Sequence, residues 1–115
     1  MQKAGYSVGL VQVFNNLGLA CAQQQKWALA EDFFSRSIAL CRQLDMPVDQ
    51  ARAEDNLGEA YLGQRKWKSA LEVLTQARER LGSLKREGEV ASQLHDIEKH
   101  LKAAEFGLLP GPTSI

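Results

Sequence analysis

The sequence predicts an all-α protein assembled from repeated antiparallel helix hairpins. Two observations carry that prediction. The chain matches itself when displaced by 40 residues, and its apolar residues recur at helical spacings of three and four. A third agrees with them: three prolines, one of them mid-chain, and few β-branched runs leave little that reads as strand.

The displacement pairs Val8 with Val48, Asn16 with Asn56, Leu17 with Leu57, Gly18 with Gly58 and Ala20 with Ala60. It continues through Gln24 and Gln64, Lys26 and Lys66, Trp27 and Trp67, Ala30 and Ala70, and Leu44 and Leu84. These ten identities fall within residues 8–44 and their partners, where composition alone would give roughly two. Each unit reads as two helices. Residues 8–24 place Phe14, Leu17, Cys21 and Gln24 on one stripe, and residues 27–44 place Trp27, Ala30, Phe34, Ile38 and Cys41 on another. The short QQQK link makes these two antiparallel neighbours. Pro47, between Asp45 and Asp49, suits the first turn of the next helix, where a missing donor costs nothing and acids complement the dipole. Helices over 48–64 and 67–82 repeat the pattern.

The strings NLGLAC, KWALA and FF, echoed by NLGEAY, KWKSA and VL, resemble the tetratricopeptide repeat. The 40-residue period is similar to the long-repeat branch found in Pins-type and kinesin light chain scaffolds and in bacterial signalling proteins. The resemblance covers residues 8–84 and implies a right-handed α-solenoid. It also implies close helix packing at the small residues, Gly18 with Ala30 and Gly58 with Ala70. The units are then 8–46 and 47–85, and residues 1–7 are either the end of a preceding repeat or a frayed terminus. Val90, Leu94, Ile97, Leu101 and Ala104 mark a further helix over 87–106. Glu98 stands there in the register of Gly18 and Gly58, so no helix can pack closely over it, and residues 86–106 read as a capping helix. Residues 107–115, GLLPGPTSI, read as a mobile tail. Their Thr-Ser-Ile ending is weakly similar to a PDZ-domain ligand, a resemblance that composition alone readily produces.

The chain balances 14 basic against 14 acidic side chains, which argues against binding through phosphate neutralisation. No apolar run is long enough for a membrane span, and no secretory signal is legible. Two cysteines are too few for a disulfide scaffold, so both read as buried free thiols in a reducing, cytoplasmic setting. No phosphate-binding, nucleophile-elbow, zinc-protease or paired-cysteine motif occurs, so neither catalysis nor a cofactor is expected. His95 and His100 are five residues apart, about 140° around a helix, and cannot share a metal from one face. Trp27 and Trp67 are expected to wedge between the helices of their own units. Acids predominate over residues 31–59 and bases over 60–86, which reads as a solvated convex face carrying Arg78 and Arg80, or as a site for acidic partners.

In the family, the first helices of stacked repeats line a concave groove. Opposite the core stripe lie Gln12, Asn15, Asn16 and Leu19 in the first unit, then Arg52, Asp55, Asn56 and Glu59 in the second. His95 and Lys99 hold the corresponding places in the cap. Asparagine is a poor helix former, so Asn16 and Asn56 invite explanation. Their amides can serve the backbone of a bound extended peptide, as the asparagine before Leu-Gly does in the long-repeat scaffolds, or can tie neighbouring repeats together. The expected function is a non-catalytic scaffold for a protein or peptide partner. The competing reading is a structural segment that bridges domains or self-associates through its open N-terminal repeat edge.

Overall fold

Every helix anticipated by the 40-residue register forms. The computed structural model describes residues 2–109, with side chains from Ser7 onward. The helices are α1 (Gln2–Gln23), α2 (Trp27–Leu44), α3 (Pro47–Gly63), α4 (Trp67–Gly82) and α5 (Gly88–Leu108). Consecutive helices pack against one another, giving an all-α repeat solenoid with no strand among the described residues. α1 begins at Gln2 with no break before Val8, and α5 extends two residues into the expected tail. The Thr113-Ser114-Ile115 ending lies outside the described residues.

The turns reproduce the repeat in backbone geometry. Gln25 and Arg65, 40 positions apart, both take left-handed conformations, with φ of +59° and +61°. In the first turn, the Lys26 amide donates to the Cys21 carbonyl (2.8 Å) and the Gln25 amide to that of Ala22 (2.9 Å). Lys66 to Tyr61 (2.9 Å) and Arg65 to Leu62 (3.0 Å) repeat the arrangement. This double closure satisfies carbonyls that a helix end would otherwise leave open. Asp45, at φ +55°, closes α2 the same way through Met46 and Cys41, and Pro47 then starts α3 in its first turn.

Within each hairpin a glycine brings the helices together. A Cβ on Gly18 would sit 2.5 Å from Cε1 of Phe34, and one on Gly58 would sit 2.5 Å from Cδ2 of Leu74. The close approach expected at these glycines is therefore present, but the groups that fill it are Phe34 and Leu74, one turn beyond the buried Ala30 and Ala70. Phe34, Leu74, Leu81 and Ile97 form the fully enclosed centre. The tryptophans depart from expectation: each reaches across to the next unit. Trp27 lies against Gly63 at the end of α3, and Trp67 against Gly107 at the end of α5, where any side chain would collide with the indole.

The stripe expected to be core on α1 needs correction. The buried residues facing α2 are Val11, Asn15 and Gly18, whereas Leu17 and Gln24 are exposed. A helix inside a solenoid has two apolar sides, one for its hairpin partner and one for the preceding unit. In α3 and α5 the second side is covered, and Leu57, Leu94, Ile97 and Leu101 are buried there as expected. Polar ties add to the packing. The Ser37 hydroxyl donates to the Val11 carbonyl (3.3 Å), and Arg80 grips the buried Glu54 carboxylate with two hydrogen bonds of 3.0 and 2.8 Å.

Candidate functional site

α1 and α3 lie side by side and form a cleft of about 190 Å³. Gln12, Asn15, Asn16 and Leu19 line it from α1, and Arg52 and Asn56 from α3, over apolar walls that include Val11 and Met46. A second hollow adjoins it, bounded by Gln23, Trp27 and Glu59, and shares Leu19 and Asn56 with the first. The two are parts of one groove. Six of the ten expected site residues thus meet in the first hollow, and a seventh, Glu59, borders the second.

Those six are not equally available. Gln12, Asn16 and Leu19 are exposed and Asn56 half-exposed, while Asn15 is buried against α2 with its Oδ1 lacking a partner. Arg52 donates to Asp49 (2.8 Å) and also meets Glu89 of α5, so its charge is already balanced. Asn16 and Asn56 make no side-chain hydrogen bond among the described residues, which leaves their donors and acceptors open.

Asp55 and Glu59 are engaged by a residue that sequence reasoning passed over. His100 of α5 places Nδ1 2.7 Å from Asp55 Oδ1 and Nε2 3.4 Å from Glu59 Oε2. Hydrogen bonds to these carboxylates raise the imidazole pKa to about 10, so it is a cation at neutral pH. The hydrogen bond from His100 lowers the Glu59 pKa, and Lys99 contributes a smaller pull. Burial pushes Asp55 the other way, upward, against the pull of His100. The three ligating atoms lie within 4.8 Å of one another, near enough for a divalent ion. With carboxylates at both ring nitrogens, however, the imidazole is a protonated bridge that pins α5 to α3 rather than an open coordination site. Its signal in the sequence was a histidine in the register of Ala20 and Ala60, where a small residue had been the rule.

The remaining expected residues separate. Lys99 is exposed beside Glu59, but His95 lines neither hollow and has Glu98 as a charged neighbour on the outer side of α5. Glu98 itself pairs with Arg86 (3.1 Å). The segregated charges resolve into contacts between and within units: Glu31 accepts from Gln64 (2.6 Å) and Lys66 (3.1 Å) of the second unit, and Arg80 turns inward to Glu54 of its own unit instead of standing free on the convex face. Both cysteines are free; burial, with a smaller push from Asp49, raises the Cys41 thiol to about 11, so it is an inert core group.

A family model described as tetratricopeptide repeat matches residues 9–83. The chain belongs to the tetratricopeptide repeat family. Tetratricopeptide repeats generally mediate protein–protein interaction and are typically non-catalytic, which fits a groove lined by amides and ion pairs. No curated protein and no solved structure matches the chain. Among the described residues, no helix is long and apolar enough to cross a membrane.

Proposed function

We propose that the groove between α1 and α3 holds an extended segment of a partner protein, with Asn16 and Asn56 as its principal hydrogen-bonding groups. The observation that carries this reading is their placement. The two amides recur one repeat apart, line the same cleft and make no side-chain hydrogen bond among the described residues. An amide offers both a donor and an acceptor, the pair of functions that each residue of an extended backbone presents. Gln12 and Leu19 extend the surface with a further amide and an apolar contact. Asp55 and Glu59 serve the groove indirectly, through the His100 bridge that fixes α5 beside α3. Asn15, being buried, shapes the wall rather than contacting the partner.

The test is selection of binders from a random twelve-residue peptide library against the 115-residue chain, followed by titration against variants. Asn16→Ala/Asn56→Ala is expected to weaken the selected peptides about two- to tenfold for each amide lost. Lys68→Ala/Glu72→Ala, on the exposed outer face of α4, is expected to leave affinity unchanged. Circular dichroism first establishes that both variants fold. Peptides that bind the asparagine variant normally and fail on the α4 variant would place recognition elsewhere.

A further inference from the structure

The second hollow of the groove differs from the first in chemistry. About 250 Å³ in size, it is floored by Phe34 and Ala60, both enclosed, and walled by Leu19, Ala22 and Trp27. These residues come from α1, α2 and α3, so both units build the hollow and it is not an open end of the array. The 40-residue register shows what stands at the same place one junction on. Asn15, Leu19 and Ala60 correspond there to Asp55, Glu59 and His100, and the imidazole is held between the two carboxylates. The second junction thus carries a ring fixed by charge, and the first a methyl group beside apolar walls. A hollow so lined, with a few polar groups at its rim, suits an apolar ligand group.

The rim supplies the second element of recognition. Among the described residues, Glu59 is the one charged side chain that lines this hollow; it is half-exposed and meets His100 through Oε2 alone, at 3.4 Å. Acids also outnumber bases along the groove. Arg52 stands against Asp49 and Glu89 at the first hollow, and His100 and Lys99 stand against Asp55, Glu59 and Asp96 at the second. The surface therefore favours a cation beside the hollow and opposes an anion.

We propose that the second hollow takes one large apolar side chain of the bound segment, and that a lysine or arginine two positions away pairs with Glu59. This names the partner's chemistry and rests on the reading of the groove as the binding surface. The spacing follows from extended backbone, in which alternate side chains point the same way about 6–7 Å apart. Asn56 borders both hollows, so its amide meets the backbone where the apolar side chain enters. Burial against Phe34 and Trp27 supplies affinity, and the pairing at Glu59 supplies selectivity.

The experiment uses peptides selected from the random library against the full chain. They are expected to share a large apolar residue with lysine or arginine two positions to either side. Replacing that apolar residue by alanine should weaken binding about 10-fold or more. On Leu19→Lys and on Ala60→His, which puts the side chain of the next junction into this one, the parent peptide and its alanine form should bind about equally. Gln12→Ala, in the first hollow, should weaken both forms alike. Glu59→Gln should cost the parent peptide about 3- to 10-fold at low salt and cost nothing once its basic residue is replaced by glutamine. Leu19 is exposed, so Leu19→Lys carries the test if circular dichroism shows that Ala60→His does not fold. Peptides that need Asn16 and Asn56 yet bind Leu19→Lys and Glu59→Gln normally overturn the proposal and leave the groove standing. So do selected peptides in which an acid takes the place of the base. Peptides indifferent to both asparagines and to Leu19→Lys overturn the groove reading as well.

Discussion

Replacing Gly58 by alanine adds a single carbon, and two effects of opposite sign compete. In a helix interior alanine is favoured over glycine by about 0.8–1.0 kcal/mol. Against that, the new Cβ would lie 2.5 Å from Cδ2 and 2.6 Å from Cγ of Leu74. Leu74 is fully buried and cannot swing into solvent, so α3 and α4 must separate or Leu74 must leave its rotamer. Overpacking of this kind costs about 1–3 kcal/mol, leaving a net loss of up to about 2 kcal/mol, with Tm lower by about 4–8 °C for each kcal/mol lost. Gly9→Ala supplies the contrast, since Gly9 lies in α1 with nothing within 4 Å of the added carbon. That change should stabilise by up to about 1 kcal/mol. Urea unfolding with an unchanged m-value measures both. Shortening the neighbour in Gly58→Ala/Leu74→Val should recover part of the loss as a coupling energy, since the two sites touch. Equal stabilisation by Gly9→Ala and Gly58→Ala would mean that the helices do not meet at Gly58.

Three further outcomes are expected. Arg65→Gly and Gln25→Gly should each stabilise by about 0.5–1 kcal/mol in the same assay, because both turns hold a side chain in the left-handed region that glycine occupies freely. Arg80→Ala should cost about 2–4 kcal/mol by stranding the buried Glu54 carboxylate, against less than about 0.5 for Lys68→Ala, a ranking that thermal melts can check. Raised from 6.5 to about 10 in the folded chain, His100 contributes stability that is complete below pH 6.5 and lost as pH rises through 10. Glu59, lowered from 4.5, loses its contribution as pH falls through the acid range, while Asp55, raised by burial, works against it there. Tm should therefore decline between pH 7 and 10, and His100→Gln should flatten that decline.

The helices were legible because an identity recurring 40 positions on is independent of local propensity. Pro47 marked the start of α3 by chemistry that is local to the chain. The turns were legible only as gaps, since glutamine, arginine and aspartate stand where glycine usually signals a left-handed cap. Sides were harder than spans. Phe14 and Leu17 have the spacing of a core stripe, but the same spacing serves the face that meets a preceding unit, and periodicity cannot tell the two apart. In the groove, Gln12, Asn16, Leu19, Arg52 and Asn56 were found because the register carries a face from one unit to the next. His100 was missed because its partners lie 41 and 45 residues away on another helix, and a pairwise ionic contact at that range leaves no periodic trace. Arg80 misled for the same reason: its charge was visible, its route to Glu54 was not.

The reach of each tryptophan onto a glycine of the following unit gives the array one indole per junction. Trp27 reports whether α2 and the end of α3 are in contact, and Trp67 reports the same for α4 and the end of α5. In a solenoid whose units touch only their neighbours, opening proceeds junction by junction, with separate equilibria at each. Loosening of α5 would wet Trp67 while Trp27 stayed packed, so two single-tryptophan proteins, Trp27→Phe and Trp67→Phe, would divide one unfolding curve into its two joints.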